Sequence, residues 1–360
     1  MTRIQEVNRL GQSIWLDFIR RSLITSGELN QMIKDGLGGL TSNPTIFEKA
    51  ISGGAEYDAD IHQYARLGKS AYEIYEALAI KDIQMAADAL RPVYDRTEGV
   101  DGTVSFEVNP ELAHKSAETL CEARLLFAAV HRPNVMIKVP ATPEGVSAIK
   151  GMINEGINTT ATLIFSEAHY RAVAQAYLSG LEKLADAGGH VQQVTAVAAL
   201  FVSRLDAVID GELDKLGHPE LAGKAAIANA KILYSVYKEL FSGARWEALA
   251  AKGARPQRLV FASTGTKNPT YPNTLYVDAL IGPNTVTTVP PAVLSAFMDH
   301  GRVSLTLEND LEGARELFKK LKSLGISLSA VTDQLQKDAV ASFTKSFKDL
   351  LASIEQKRRQ

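Results

Sequence analysis

The segment Asn134-Val135-Met136-Ile137-Lys138-Val139-Pro140 places a single lysine within an apolar run. Apolar and β-branched residues that end at a proline predict a buried strand. A buried ammonium costs free energy unless its charge is paired or given up. Desolvation therefore favours a neutral, nucleophilic amine, which is what Schiff-base chemistry requires. On this segment alone, the alternative is a structural lysine that reaches solvent or pairs with a carboxylate.

Short β-rich runs of this kind recur along the chain, with longer helical patterns between them. Most of these runs have turn-forming residues near their C-terminal ends. Eight such strands alternating with helices predict an α/β fold, most simply a single closed (β/α)8 TIM barrel. An open doubly wound sheet is the alternative, and the number of strands favours the barrel. The predicted strands are residues 13–17, 38–42, 103–108, 135–139, 160–165, 194–201, 259–263 and 285–289.

The helical patterns indicate additions to this simple barrel. Thr142 can cap a helix over residues 143–155 that has Pro143 in its first position, and another helix starts near Ser166. Residues 51–100 are too many for one crossover helix and predict two or three helices inserted after the second strand. Residues from about 327 to 356 predict a long C-terminal helix. No linker is visible, so we expect one domain over residues 1–360.

The composition argues against several classes of function. The chain has 39 Lys and Arg residues against 41 Asp and Glu residues, a formal net charge of -2. This balance gives no electrostatic basis for binding nucleic acid or an anionic membrane. No stretch is long and apolar enough to span a bilayer. The seven histidines are scattered, so we expect no metal site.

Cysteine usage and the N-terminus bear on the cellular compartment. Cys121 is the only cysteine, so no internal disulfide can form, which fits a reducing environment. The first residues lack the apolar core of a signal peptide. We therefore expect a cytoplasmic protein.

Chemically versatile residues stand where the predicted strands end, and catalytic groups of a barrel lie at the C-terminal ends of its strands. An amine, carboxylates and cations suit a lyase that breaks a C–C bond through an imine. Structural interpretations remain open: Asp17 as a helix cap, Glu107 on an edge strand, and Asn43 as a cap before a helix-starting proline. The residues at successive strand ends are Asp17, Asn43, Glu107, Lys138, Thr162, Arg204 and Lys267.

Two glycine-containing segments argue against nucleotide cofactors. The segment TGTKN at 264–268 lacks the earlier glycine and the Gly-Lys-Ser/Thr order of a P-loop. The segment GLGG at 36–39 lacks the third glycine of a dinucleotide fingerprint. We therefore set aside nucleotide hydrolysis and hydride transfer.

A set of motifs in a fixed order is specific for one family. The chain resembles the transaldolases, in their longer bacterial subgroup, over essentially its whole length. The motifs are SIWLD (13–17), LTSNPTIF (40–47), VSFEV (104–108), VMIKVPAT (135–142), GINTTATLIFS (156–166), FVSR (201–204), ASTGTKNP (262–269) and NTVTTVP (284–290).

The resemblance implies a (β/α)8 barrel of the class I aldolase type that uses no cofactor. It implies transfer of a dihydroxyacetone unit from sedoheptulose 7-phosphate or fructose 6-phosphate to glyceraldehyde 3-phosphate or erythrose 4-phosphate, in the non-oxidative pentose phosphate pathway. Lys138 would form the Schiff base, and Asp17 would take the C4 hydroxyl proton as the C3–C4 bond breaks. Glu107, with Thr162 and a bound water, would handle proton transfers as the carbinolamine forms and collapses.

The resemblance also assigns the residues that bind the substrate. Asn43 would hydrogen-bond the dihydroxyacetone part, and Arg204, Ser263 and Lys267 would hold the phosphate. Lys267 stands where other transaldolases use arginine, and a lysine binds phosphate as a point charge without the bidentate fork.

Two further positions depart from the family pattern. Ala199 stands where the family often has serine, so one substrate hydrogen bond is either missing or supplied by Ser203. Thr160 stands where other branches place an asparagine before the threonine of the fifth strand.

Two alternatives to a transaldolase stay open. A related Schiff-base fructose-6-phosphate aldolase would release free dihydroxyacetone, but that branch is shorter and tends to have tyrosine and glutamine where this chain has Phe201 and Glu107. A barrel that binds sugar phosphates without turnover is the alternative of another class. The sequence leaves open a monomer or a homodimer.

Overall fold

The computed structural model describes residues 1–360, and its eight strands close into one barrel. Neighbouring strands are parallel and follow chain order, and β1 also pairs with β8. The predicted closed barrel is confirmed, and the open doubly wound sheet is wrong. The strands are β1 Gln12–Asp17, β2 Gly39–Thr41, β3 Thr103–Glu107, β4 Val135–Pro140, β5 Thr159–Ile164, β6 Ala196–Phe201, β7 Arg258–Ala262 and β8 Thr285–Val289.

Helices surround the barrel and account for most of the chain. Three short 3₁₀ turns, Pro110–Leu112, Val191–Gln193 and Pro219–Leu221, join them. The helices are α1 Arg3–Arg9, α2 Arg21–Thr25, α3 Glu28–Lys34, α4 Pro44–Ser52, α5 Asp58–Arg66, α6 Ala71–Arg96, α7 Ser116–Val130, α8 Pro143–Asn154, α9 Glu167–Asp186, α10 Ser203–Leu216, α11 Ala225–Leu240, α12 Gly243–Ala250, α13 Leu275–Ala279, α14 Pro291–His300, α15 Leu311–Ser323 and α16 Leu328–Arg358.

The predicted strands match the structure to within about two residues at each end. Almost every strand residue is buried, as expected for a parallel sheet that is filled on the inside and covered by helices outside. The predicted sixth strand began at residue 194, but β6 begins at Ala196. The 3₁₀ turn Val191–Gln193 precedes it, and Val194 still donates its amide to the carbonyl of Val191.

The predicted helices are confirmed, and so is the predicted cap at Thr142. Thr142 caps α8 by accepting from the amide of Gly145 at 3.0 Å, and Ser166 caps α9. The region 51–100 holds the end of α4 followed by α5 and α6, which agrees with two or three inserted helices. The long C-terminal helix is α16. None of the helices has the length and apolar character needed to cross a membrane.

Helix α16 lies against the rim of the barrel at its C-terminal end. It packs on α4, α5, α6 and α10. The buried amide of Gln336 donates to the carbonyl oxygens of Ala141 at 3.0 Å and Leu163 at 2.9 Å, just beyond β4 and within β5. This helix is therefore fixed to the end of the barrel where the strand-end residues lie.

A polar network fills the opposite, N-terminal end of the barrel. The Arg258 guanidinium donates to Ser13 Oγ at 3.0 Å and to Asp101 Oδ1 at 2.9 Å. The Trp15 indole N–H also donates to Asp101 Oδ1, at 3.0 Å. The indole is fully buried and reaches from this network into the barrel interior.

Gly39 on β2 makes room for that indole. A Cβ at Gly39 would lie 2.8 Å from two indole carbons of Trp15 and 2.9 Å from the carbonyl oxygen of Thr103. We expect Gly39→Ala to lower the free energy of unfolding by about 1–3 kcal/mol through overpacking, as measured by chemical denaturation. Gly211→Ala is the matched control, because nothing lies within 4 Å of its Cβ in α10. That variant should gain roughly 0.5–1 kcal/mol. Equal stabilities for the two variants would contradict this account of the barrel interior.

Candidate active site

Lys138 projects into the barrel near its C-terminal end and does not reach solvent. Its Nζ donates to the carbonyl oxygen of Ser42 at 2.9 Å and lies 2.9 Å from Glu107 Oε2. The two side chains are only 5% and 2% exposed. They meet because Lys138 on β4 is the register partner of Glu107 on β3, so both point to the same face of the sheet. The structure thus confirms one alternative that the sequence left open, a lysine paired with a carboxylate.

Glu107 is held in an environment that disfavours its charge. Burial raises the pKa of the Glu107 carboxyl, the Lys138 ammonium opposes this rise, and the Asp17 carboxylate adds to it. Oε1 has no hydrogen-bond partner within the protein, and neither has the buried Oγ1 of Thr162. The interpretation of Glu107 as the polar face of an edge strand is wrong, because a closed barrel has no edge.

Asp17 ends β1 at the same rim. Its Oδ1 accepts from Thr41 Oγ1 at 2.8 Å. The interpretation of Asp17 as a helix cap is wrong, because the residue that precedes α2 is Arg20. The carboxylate is instead part of the barrel interior.

Asn43 has two roles in the structure. Its Oδ1 accepts from the amide of Ile46 at 2.9 Å, so the interpretation as a cap of α4 is confirmed. Asn43 also lines the same cavity as Lys138. The cap fixes the side chain at the rim through its oxygen, and its amide nitrogen has no partner within the protein.

Lys138, Asp17 and Asn43 line a small cavity at the centre of the barrel. Its free volume beside Lys138 is about 20 Å³, enough for a water-sized group. No three His, Cys, Asp or Glu side chains come together as a metal site would require. The lining residues are Trp15, Asp17, Thr41, Asn43, Lys138, Thr160, Thr162, Val197, Ala199, Phe201, Val260, Ala262 and Thr288.

A group of cations lies beyond this cavity. Burial lowers the pKa of the Lys267 ammonium, and the positive charges of Arg204 and Lys49 lower it further. Burial also lowers the pKa of Arg204, an effect opposed by the Asp338 carboxylate of α16. The Arg204 guanidinium is 5.7 Å from the ring centroid of Phe201. Because Phe201 lines the cavity, the cations lie next to the cavity. The sequence did not predict Lys49 as a member of this group, because only the fold brings α4 beside the loop after β7 that carries Lys267.

Ser263 follows β7 in a backbone conformation that side chains rarely adopt. Its φ is +58°, and Leu163, next to Thr162, has a φ of +59°. Such strain in residues other than glycine is concentrated at functional sites. The Ser263 hydroxyl lies 3.1 Å from that of Ser203, at the start of α10 beside Arg204.

The two departures from the family pattern differ in their surroundings. Ala199 lines the cavity and offers it a methyl group, while the hydroxyl of Ser203 is engaged with Ser263. Thr160 also lines the cavity, but its Oγ1 lies 2.7 Å from Ser105 Oγ and is held within the barrel.

The fold and site define a class: a (β/α)8-barrel protein with a buried lysine–glutamate pair and a further carboxylate at the C-terminal end of its strands. The family model described as Transaldolase/Fructose-6-phosphate aldolase matches residues 14–354. The chain belongs to this family.

Named relatives agree with this assignment. A "Transaldolase" of Trichodesmium erythraeum (strain IMS101) is 46% identical over 98% of this chain and 96% of its own length. One of Thermobifida fusca (strain YX) is 45% identical over 98% and 97% of the two chains. One of Thiobacillus denitrificans (strain ATCC 25259 / T1) is 45% identical over 98% and 100%. The recognition from the sequence motifs and the prediction of a transaldolase enzyme are confirmed.

The buried pair of Lys138 and Glu107 predicts how the free energy of unfolding depends on pH. In Lys138→Met, Glu107 loses its cation, so its pKa rises further above the value in the unfolded chain. A raised carboxyl pKa stabilises the fold where the group is protonated, and this contribution is lost as pH rises through the raised pKa. We expect the variant to lose stability relative to the parent as pH rises above the ordinary carboxyl pKa, with a deficit of about 3 kcal/mol once Glu107 is ionised.

The control for this prediction also removes the charge of Glu107, which Lys138→Met leaves without its cation. Lys138→Met combined with Glu107→Gln should recover most of the deficit and show no extra loss at high pH in chemical denaturation. A single variant and a double variant with the same pH profile would show that the two charges are not coupled.

Proposed function

We propose that Lys138 of this transaldolase forms a Schiff base with a ketose phosphate and carries a dihydroxyacetone unit to an aldose phosphate. The observation that supports this most directly is the contact of Lys138 Nζ with Glu107 Oε2 at 2.9 Å inside the barrel. A buried amine needs a nearby group that removes its proton, and a carboxylate whose pKa is raised can serve as that base.

Imine formation begins with transfer of a proton from the Lys138 ammonium to Glu107. The free amine adds to the C2 carbonyl carbon of the ketose and gives a carbinolamine. Glu107 then returns the proton to the departing hydroxyl, which leaves as water, and a protonated imine remains. Thr162 Oγ1 and Glu107 Oε1 have no partners in the protein and are available to hydrogen-bond the hydroxyl or a water during these steps.

Cleavage uses the protonated imine as an electron sink. The electron pair of the C3–C4 bond moves into the C2–C3 bond, and the imine becomes a neutral enamine. The C4 hydroxyl proton passes to the Asp17 carboxylate, and the aldehyde fragment leaves. The acceptor aldehyde reverses these steps: C3 attacks its carbonyl carbon, Asp17 returns the proton, and water releases the new ketose from Lys138. The sequence of steps uses no cofactor.

The cations supply remote binding energy. A sugar phosphate is dianionic near neutral pH, and Arg204 and Lys267 are held close together despite their like charges. We propose that they bind the phosphate together with Ser263, while Asn43 binds the dihydroxyacetone end. Binding at the far end of the substrate orients the carbons that react. We assign the donors and acceptors to the sugar phosphates of the non-oxidative pentose phosphate pathway.

Further features of the protein belong to this proposal. We propose that residues 1–360 act as one domain, supported by one continuous core of 96 buried residues. We propose a cytoplasmic monomer or homodimer that binds no nucleic acid. Cys121, exposed and unpaired, fits a reducing compartment.

Incubation with fructose 6-phosphate and borohydride tests the imine. We expect a reduced three-carbon or six-carbon adduct on Lys138 in peptide mass mapping. Asp17→Ala should still give the adduct but lose at least about 100-fold in turnover, because it removes only the proton transfer of cleavage. An adduct on another residue, or none, would refute the imine at Lys138. Full turnover in the Asp17 variant would remove that residue from the mechanism.

A product assay separates transfer from aldol cleavage and from binding alone. With fructose 6-phosphate and erythrose 4-phosphate, we expect sedoheptulose 7-phosphate and little free dihydroxyacetone. Equal release of dihydroxyacetone with and without the acceptor would support the aldolase. Binding of the sugar phosphate without any product would support the non-catalytic barrel.

Removal of either phosphate-binding cation should weaken substrate binding more than chemistry. We expect Arg204→Gln and Lys267→Gln each to raise KM for fructose 6-phosphate by roughly 10-fold to 100-fold, the value of one charged hydrogen bond. Steady-state kinetics measures this, and Lys252→Gln, at an exposed site between α12 and β7, is the matched control. An unchanged KM in both cation variants would exclude them from phosphate binding.

A further inference from the structure

An aromatic ring from the C-terminal helix faces the proposed nucleophile. The centroid of the Phe343 ring lies 5.8 Å from Lys138 Nζ. The side chain is buried, and it lies on α16 rather than on the barrel. This distance is within the range over which a cation is attracted to an aromatic face.

The helix segment that carries the ring is fixed at two points. Gln336, seven residues earlier and on the same helix face, fixes α16 to the carbonyl oxygens of Ala141 and Leu163. Three residues after Phe343, Ser346 Oγ accepts a hydrogen bond from Thr45 Oγ1 of α4 at 2.8 Å. The part of α16 that carries Phe343 is therefore anchored to the barrel rim and to α4.

We propose that Phe343 is a specificity-determining residue that keeps the three-carbon unit on Lys138 until an acceptor arrives. This inference rests on the proposed imine. The ring stabilises the cationic imine and keeps bulk water and buffer acids away from the enamine carbon C3, which lies two bonds from the nitrogen. The enamine then reacts with an aldehyde instead of being released.

The competing release reaction shows why shielding matters. The enamine C3 takes a proton from water or a buffer acid, which regenerates the protonated imine. A water molecule then adds to C2 and gives one proton to Lys138 Nζ. The C2–N bond breaks with its electron pair going to Nζ, Glu107 takes the remaining hydroxyl proton, and free dihydroxyacetone leaves. Transfer also ends with addition of water to C2, so the step that belongs to release alone is protonation of the enamine C3. That step needs a proton donor beside Lys138, where the Phe343 ring lies.

The test measures the ratio of dihydroxyacetone release to transfer in full-length variants, with fructose 6-phosphate as donor and erythrose 4-phosphate present or absent. We expect Phe343→Ala to raise this ratio at least tenfold. Phe343→Leu keeps apolar bulk without the aromatic face, and it should raise the ratio about threefold. It also serves if the alanine variant does not fold.

Phe347→Leu is the matched control on the same helix. Its ring is equally buried but packs on Tyr75, with ring centroids 5.2 Å apart. Its ratio should stay within twofold of the parent. Unchanged ratios in both Phe343 variants, or an equal rise in Phe347→Leu, would overturn the proposal. A parent enzyme that forms no borohydride adduct and no transfer product would instead refute the proposed function.

Discussion

The close pairing of one lysine and one glutamate inside the barrel is the constraint on which the rest of the site depends. Neither charge is exposed enough to be solvated by water, so each needs the other. The pair exists because β3 and β4 are neighbours in register and because the barrel is closed on both sides of them. An apolar pair would suit stability as well, so retention of two buried charges fits a chemical use for them.

The N-terminal end of the barrel contributes to stability, and the C-terminal end carries the proposed chemistry. At the N-terminal end, Arg258 and Asp101 form an ion pair, and Asp101 also fixes the Trp15 indole. At the C-terminal end, the Asp17 carboxylate, threonine hydroxyls and the Asn43 amide line the central cavity, and the hydroxyls of Thr162 and Thr288 have no protein partner. Trp15 links the two ends, because its ring fills the barrel beneath Lys138.

The sequence predicted the barrel well because strand burial and turn residues are local signals, and parallel strands follow one another in order. It predicted Lys138 as a candidate functional residue, because a charged residue in an apolar strand is conspicuous in any fold. It missed Lys49, Gln336 and Phe343, whose significance comes from long-range packing of α4 and α16 on the barrel rim. It left Asn43 ambiguous between a cap and a site residue, and the structure gives it both positions. The motif resemblance, not periodicity, supplied the roles of the site residues.

The central claim is that Lys138 carries the substrate while the cations at the mouth hold its phosphate. A crystal structure of the protein after borohydride reduction with fructose 6-phosphate tests both parts at once. We predict continuous density from Lys138 Nζ to C2 of the sugar. In a six-carbon adduct, the C4 hydroxyl should lie beside Asp17 and the phosphate between Arg204 and Lys267. Density for the sugar without a bond to Lys138, or a phosphate bound elsewhere, would contradict the account.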